Sequence, residues 1–240
     1  KVQALGHGNE NKGFTTEIDV TVWILARKTG SPFEIRWIPA YLFVNSGPVL
    51  ATGREVWGFP KQLGQFDFSP QNDQHGKARA FNVNGWVVSP YGPNAETRWA
   101  PIIEIKPKAP SASPSGILPS LKHLADKAVT RLTDDLISVG GAIESAIGAG
   151  NMTMAFLKQF PDATDPQKAC YQAIIEATAK TNGYRASGLT DDEYEVNITS
   201  YDSMPFLNEL GIQPGWQTVG QGMWIDFDFE QELGKALWTA

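Results

Sequence analysis

Cysteine and histidine are scarce in this 240-residue chain: it holds Cys170 alone and three histidines, His7, His75 and His123. A single cysteine excludes any intrachain disulfide and with it the disulfide-rich secreted class. The histidines lie far apart in polar contexts, without the tight ligand spacing of a zinc site. The carboxylates of Asp191-Asp192-Glu193 have no histidine near them and read as a solvated turn, so no metal site is expected. No run of about 18 apolar residues occurs, so no transmembrane helix is read. Basic residues are outnumbered, with 20 Lys and Arg against 26 Asp and Glu, and the net charge of -6 leaves no basic footprint for nucleic acid. A phosphate-binding loop is also missing. Gly140-Gly141 and Gly148-Ala149-Gly150 lack both the Lys-Ser/Thr ending and the strand–helix context. A cytoplasmic protein with no nucleic-acid or membrane partner is the expectation. The chain opens on Lys1 rather than methionine, in a segment that reads as a strand already under way, and residues upstream of it are expected.

What is present is hydrophobic and aromatic. These classes make up 42% and 11% of the residues, enough for a sizeable core in one domain spanning residues 1–240. In residues 17–26, Ile18, Val20, Val22 and Ile24 alternate with Glu17, Asp19, Thr21 and Trp23. This period of two marks a strand with one apolar and one mixed face. Lys28-Thr29-Gly30-Ser31-Pro32 reads as a turn. A second strand is expected over 33–44, a tight turn at Asn45-Ser46-Gly47-Pro48, and a third strand over 48–55 that ends at Gly58-Phe59-Pro60. Residues 65–69 and 77–83 read as a hairpin across a long polar loop, and 97–105 as a further strand.

Residues 106–119 are rich in Pro and Ser and read as a linker. Beyond it, Leu118, Leu121, Ala125, Ala128, Leu132, Leu136, Val139 and Ile143 are spaced by three and four, which predicts an amphipathic helix, interrupted at Gly140-Gly141. Its polar face mixes acids and bases, so the apolar stripe is expected against the domain's own sheet or a partner subunit rather than a membrane surface. Strands are then expected over 151–160, 169–181 and 194–201, with a helical alternative for 169–181, where Ala and Glu are plentiful. Cys170 in that segment reads as a buried core thiol. A short helix is expected over 204–210. In the last strand Met223, Ile225, Phe227 and Phe229 alternate with Trp224, Asp226, Asp228 and Glu230. The expected fold is mainly β (α+β): one antiparallel, barrel-like domain with a helical insertion at about residues 115–148.

The most specific stretch is Gly53-Arg54-Glu55-Val56-Trp57-Gly58-Phe59-Pro60-Lys61-Gln62-Leu63-Gly64. It resembles the signature of the acetoacetate decarboxylase family: Gly-Arg-Glu, then an aromatic-Pro-Lys, then Leu-Gly. The resemblance implies that family's fold, a reaction without cofactor, and an iminium between Lys61 and the ketone of a β-keto acid. A protonated imine accepts the electrons left by departing carbon dioxide better than a ketone does. The lysine must attack as a neutral amine, yet at an ordinary pKa of ~10.4 only about one lysine in a thousand is neutral at pH 7.4. A pocket favours the neutral form by excluding water or by placing a second cation nearby, and acetoacetate decarboxylase is itself the standard illustration of the second route.

Phe14-Thr15-Thr16-Glu17-Ile18 resembles the family's pocket glutamate at the start of an alternating strand, which implies a hydrogen-bonding or proton-shuttling role for Glu17. Trp57, Phe59 and Leu63 would wall a dry pocket, and Gln62 would hydrogen-bond the substrate. Arg54 and Glu55 are adjacent and in a regular strand would point to opposite faces; Arg54 is the candidate for touching substrate. Three departures stand out. Gln62 replaces the second lysine of the best-known decarboxylases, no arginine precedes Glu17, and the acid of an earlier family strand falls near Val2. The expected function is a Schiff-base lyase acting on a small keto acid, as a homo-oligomer. The alternatives are aldol and dehydration chemistry from the same imine, or a non-catalytic small-molecule binding protein. A Lys61 that is solvated or paired with a carboxylate would weaken the enzyme reading.

Overall fold

The computed structural model describes residues 2–5, 11–27, 29–30, 34–68, 80–108 and 151–239. The helical insertion expected at about 115–148, the linker beyond Lys108, and His7, His75 and His123 lie outside the described residues. Strands dominate. A small sheet pairs β1 (Val2–Leu5) with β2 (Asn11–Thr15). The main sheet has nine strands. They are β3 (Asp19–Arg27), β4 (Ile35–Val44), β5 (Lys61–Phe68), β6 (Phe81–Val87), β7 (Arg98–Pro107), β8 (Asn151–Pro161), β9 (Ala169–Ile198), β10 (Gln217–Gln231) and β11 (Lys235–Thr239).

The order β10-β9-β7-β6-β5-β4-β3 carries β11 alongside β9, and β8 alongside both β9 and β4. Two features correct the expected antiparallel barrel. β4 runs parallel to β5, and it meets β8 in parallel at the single bridge Trp37–Met154. The sheet is therefore mixed, and it ends on β3 and β10 rather than closing. Parallel strands need a longer connection than a hairpin, and residues 45–60 supply it.

That connection is helical, which corrects the strand expected over 48–55. Helix α1 (Gly47–Thr52) starts with Pro48 in its first turn and runs into a π-helical turn, Gly53–Trp57. Proline suits the first helical turn, where its missing N–H would have no partner in any case. The turn stops at Gly58, whose φ of 92° lies in the left-handed region. A side chain there would also strike the Lys158 backbone, since a Cβ would sit 2.8 Å from its Cα. Only glycine satisfies both demands.

Residues 169–181 are strand, paired with β8 and β11, so the helical alternative falls away. Residues 169–181 and 194–198 belong to one strand of 30 residues, because β10 pairs with its middle across the expected gap. Cys170 is exposed, not a core thiol; its Sγ lies 3.4 Å from the Phe160 carbonyl oxygen at the outer end of the β8–β9 pair. Helix α2 (Phe206–Leu210) is the short helix expected near the C-terminus.

Side chains alternate across β3 and β4, so the pair buries both faces. On one face Tyr41, Phe43, Val83, Val87, Ile102 and Phe206 form a core, with Val20, Val22 and Phe66 packed against it. On the other, Met154, Phe156, Ala173 and Ile175 pack with Trp23, Trp37, Trp57 and Phe59. A bulge keeps the two sets apart. Val22 pairs with Tyr41 and Trp23 with Pro39, leaving Ala40 unpaired. The extra residue shifts the alternation by one, so Trp37 and Leu42 share a face although their numbers differ by an odd count.

Candidate active site

Lys61 opens β5 and is 7% exposed, the one buried charged residue among the described residues. Its Nζ donates to Glu17 Oε1 at 3.0 Å, across 44 positions of sequence. Both side chains are nearly sealed from water, at 9% and 10% exposure. Glu17 is held through the backbone of its neighbour: the Ile18 N–H donates to Asn45 Oδ1 at 2.9 Å, and the Asn45 N–H donates back to the Ile18 carbonyl at 3.3 Å. The segment before β3 is thus pinned to the end of β4.

The π-helical turn shapes the space around the amine. A Cβ on Gly53 would lie 2.7 Å from Lys61 Cδ and Cε and 3.3 Å from Nζ, so the bare glycine backbone makes the lysine's channel. Arg54 reaches back to donate from Nη1 to the Lys61 carbonyl at 3.0 Å. It fixes the lysine's backbone. Glu55, its neighbour, is exposed. Phe59 presents its ring 5.6 Å from Nζ. Trp57 stands one ring further out, 6.4 Å from Phe59, with Nε1 donating to the Glu232 carbonyl at 3.0 Å. Phe59 in turn packs on Phe156 at 4.3 Å, which ties the pocket wall to the second core.

The register shows which predicted residues meet. Leu42 pairs with Lys61 and Phe43 with Gln62. Phe43 belongs to the first core, and so do Val20 and Phe66. Gln62 shares its face with Phe43, Gly64 and Phe66, whereas Lys61 points the other way. The structure therefore brings Glu17, Phe59 and Arg54 to Lys61, places Trp57 behind Phe59, and turns Gln62 away. The expected contact between Gln62 and a substrate at Lys61 is not made by this geometry.

One residue of the site escaped sequence reading. Asp19 pairs with Val44, and Thr21 with Leu42, so Asp19 stands on the Lys61 face two positions beyond Glu17. Enclosure by surrounding protein, then the Glu17 charge, push the Asp19 carboxyl above the usual carboxylate range, while Lys61 pulls it back. The side chain nevertheless keeps solvent contact. The signal was its spacing of two from Glu17 on an alternating strand; by sequence alone Asp19 stands only on a mixed face. Among the described residues no three metal-ligating side chains cluster, and no helix is long and apolar enough to cross a membrane.

No protein-family model matches the chain, and no curated protein does. Solved structures do. An acetoacetate decarboxylase from Legionella pneumophila superposes with a TM-score of 0.56 at 16% identity, over 96% of this chain and 70% of that one. A second acetoacetate decarboxylase structure gives 0.55 at 13% identity, over 95% and 71%. An acetoacetate decarboxylase-like enzyme from Sphingomonas wittichii gives 0.50 at 11% identity, over 92% and 68%. The fold is that of these acetoacetate decarboxylase structures. At these identities the likeness establishes the architecture, and the chemistry has to be argued from Lys61 and its neighbours.

Proposed function

We propose that this chain is a cofactor-free Schiff-base lyase of small keto acids, with decarboxylation as its leading reaction. The observation that carries the proposal is a lysine only 7% exposed with an aromatic ring beside its amine. Its ion pair with Glu17 at 3.0 Å is the carboxylate pairing that weakens an enzyme reading, and it counts on the other side. Burying a charge is costly, by several kcal/mol per ion even after the protein relaxes. Apolar residues of similar volume are often at least as stable as a buried ion pair, which supports a role for Lys61 beyond stability.

The contacts define the chemistry. Glu17 can take the proton of the Lys61 ammonium directly, which leaves an amine lone pair for attack. The amine adds to the ketone carbon, and loss of water gives the iminium. The bond to the carboxylate carbon then breaks, and its electron pair moves into the iminium to give an enamine and carbon dioxide. Phe59 offers its ring to the cation, an interaction worth about 0.5–2 kcal/mol when partly desolvated. Arg54 acts as a positioning residue through the Lys61 carbonyl. Aldol condensation and dehydration start from the same iminium, so the same site supports them. Neighbouring superposed proteins bear the names acetoacetate decarboxylase and acetoacetate decarboxylase-like enzyme, which supports an enzyme of this kind.

The Lys61–Glu17 pair also favours a second reading. A lysine already matched by a carboxylate can be a purely structural ion pair in a small-molecule binding protein. The two readings part on covalent chemistry. Acetoacetate, pyruvate, longer keto acids and aldehydes are offered in turn, borohydride is added, and the protein is mapped by mass spectrometry. The enzyme reading expects a reduced adduct on Lys61 that disappears in Lys61→Ala. Folded protein that gives no adduct with any of these ligands moves the assignment to binding. We also infer a single domain and a homo-oligomer. Exposed apolar side chains at Leu157, Leu233, Leu237 and Trp238 support the latter, with Leu233 84% exposed.

A further inference from the structure

We propose that Asp19 carries protons between solvent and the enamine carbon formed at Lys61, an assignment that rests on the Schiff-base reading above. Three observations combine. The β3–β4–β5 register puts Asp19 and Lys61 on one face, two residues apart along β4: Asp19 pairs with Val44, and Lys61 with Leu42. Glu17 and Lys61 are bound to each other and are close to sealed, at 10% and 9% exposure. Asp19, the third ionisable group on this face, is the exposed one. A turnover that puts a solvent proton on carbon needs a group with access to both sides, and Glu17, engaged with the amine, lacks the solvent side.

The electrostatics agree with that role. Two carboxylates serve one lysine, and burial together with the Glu17 charge raises Asp19, so Asp19 holds its proton more readily than an ordinary aspartate. This divides the labour between two acids in different surroundings. After the carbon–carboxylate bond breaks, the enamine carbon takes the proton from the Asp19 carboxyl. The O–H electrons stay on Asp19 as a carboxylate, and the nitrogen lone pair returns to the iminium. Water then adds, the ketone leaves, and Lys61 is an amine again. Asp19 regains its proton from solvent.

The test runs two assays side by side with acetone as the probe: borohydride trapping on Lys61, and deuterium entry into the acetone methyl groups in D2O followed by NMR. Exchange requires the iminium to lose and regain a carbon-bound proton; trapping requires only the iminium. The unaltered chain is expected to do both. Asp19→Asn and Asp19→Ser are expected to form the trapped adduct while exchange falls about 100-fold or more, the usual scale for losing a general acid–base group. Asp19→Glu is expected to restore part of the exchange. Exchange at the unaltered rate in the two carboxyl-free variants overturns the role of Asp19 and leaves the Schiff base standing. So does an adduct without any exchange in the unaltered chain. No adduct in the unaltered chain overturns the Schiff-base reading itself, and the Asp19 assignment with it.

Discussion

Along β3, β4 and β5 one face buries rings, aliphatic chains and a tyrosine hydroxyl, while the other buries an ammonium. On the first, Phe43, Val83, Val87, Ile102 and Phe206 are fully enclosed. The Tyr41 ring stacks on Phe206 at 3.6 Å, and its hydroxyl donates to Glu209. Burial and the Glu209 hydrogen bond push that hydroxyl far above the usual phenol range, so it stays protonated and structural. Each large apolar side chain buried there contributes about 1.5–3 kcal/mol. On the second face Lys61 is enclosed at a cost, offset in part by Glu17 at 3.0 Å. The same three strands thus carry an apolar core alone on one side, and on the other a second core with the ion pair set beside it. Alternation lets the two be adjusted separately, because each substitution reaches one face.

The largest effect that separates the faces is expected from Phe206→Ala. Removing a fully buried ring should cost about 3–5 kcal/mol of stability, read as a lower urea midpoint. The folded protein should still trap ligand on Lys61. A folded variant that loses trapping would break the comparison by showing that the faces are coupled. Arg54→Ala comes next. It removes the bond to the Lys61 carbonyl, and a charge-assisted hydrogen bond is worth about 1.5–3 kcal/mol. Arg54 is largely exposed, so we expect the lower end, a loss of about 1.5 kcal/mol of stability read as a lower urea midpoint, together with slower adduct formation in the folded protein. Arg54→Lys should recover little, because it cannot reproduce the guanidinium geometry.

Strand identity was legible in the sequence where β-branched and aromatic residues alternate, as in Val20, Val22 and Ile24 or in Ile225, Phe227 and Phe229. Lys61 and Glu17 were legible only through their resemblance to a family, since nothing local pairs two residues 44 positions apart. The helical connection was misread because Val49, Thr52 and Val56 look like strand residues. Its boundaries were nonetheless present in Pro48 and Gly58, and a short helix depends more on its ends than on its interior propensity. The Ala40 bulge left no mark in the sequence. Without it the faces of β4 cannot be assigned, because one extra residue flips every side chain beyond it. Asp19 needed the pairing of β3 with β4 and of β4 with β5 before it could be placed on the Lys61 face.

Gln62 gives the finest test of the two-face picture, because sequence position and register disagree about it. By sequence it adjoins Lys61 and stands where the best-known decarboxylases carry a second lysine. By register it pairs with Phe43 and shares a face with Phe66, on the side of the apolar core. Its side chain is partly buried there. Gln62→Leu keeps the volume and offers the core an apolar neighbour, so stability should move by less than about 1.5 kcal/mol. Trapping on Lys61 should keep its rate and its ligand preference, because no atom of residue 62 faces the amine. A loss of trapping tenfold or greater, in protein with an unchanged urea midpoint, would mean that Gln62 reaches the substrate and that β5 does not alternate as its pairing requires.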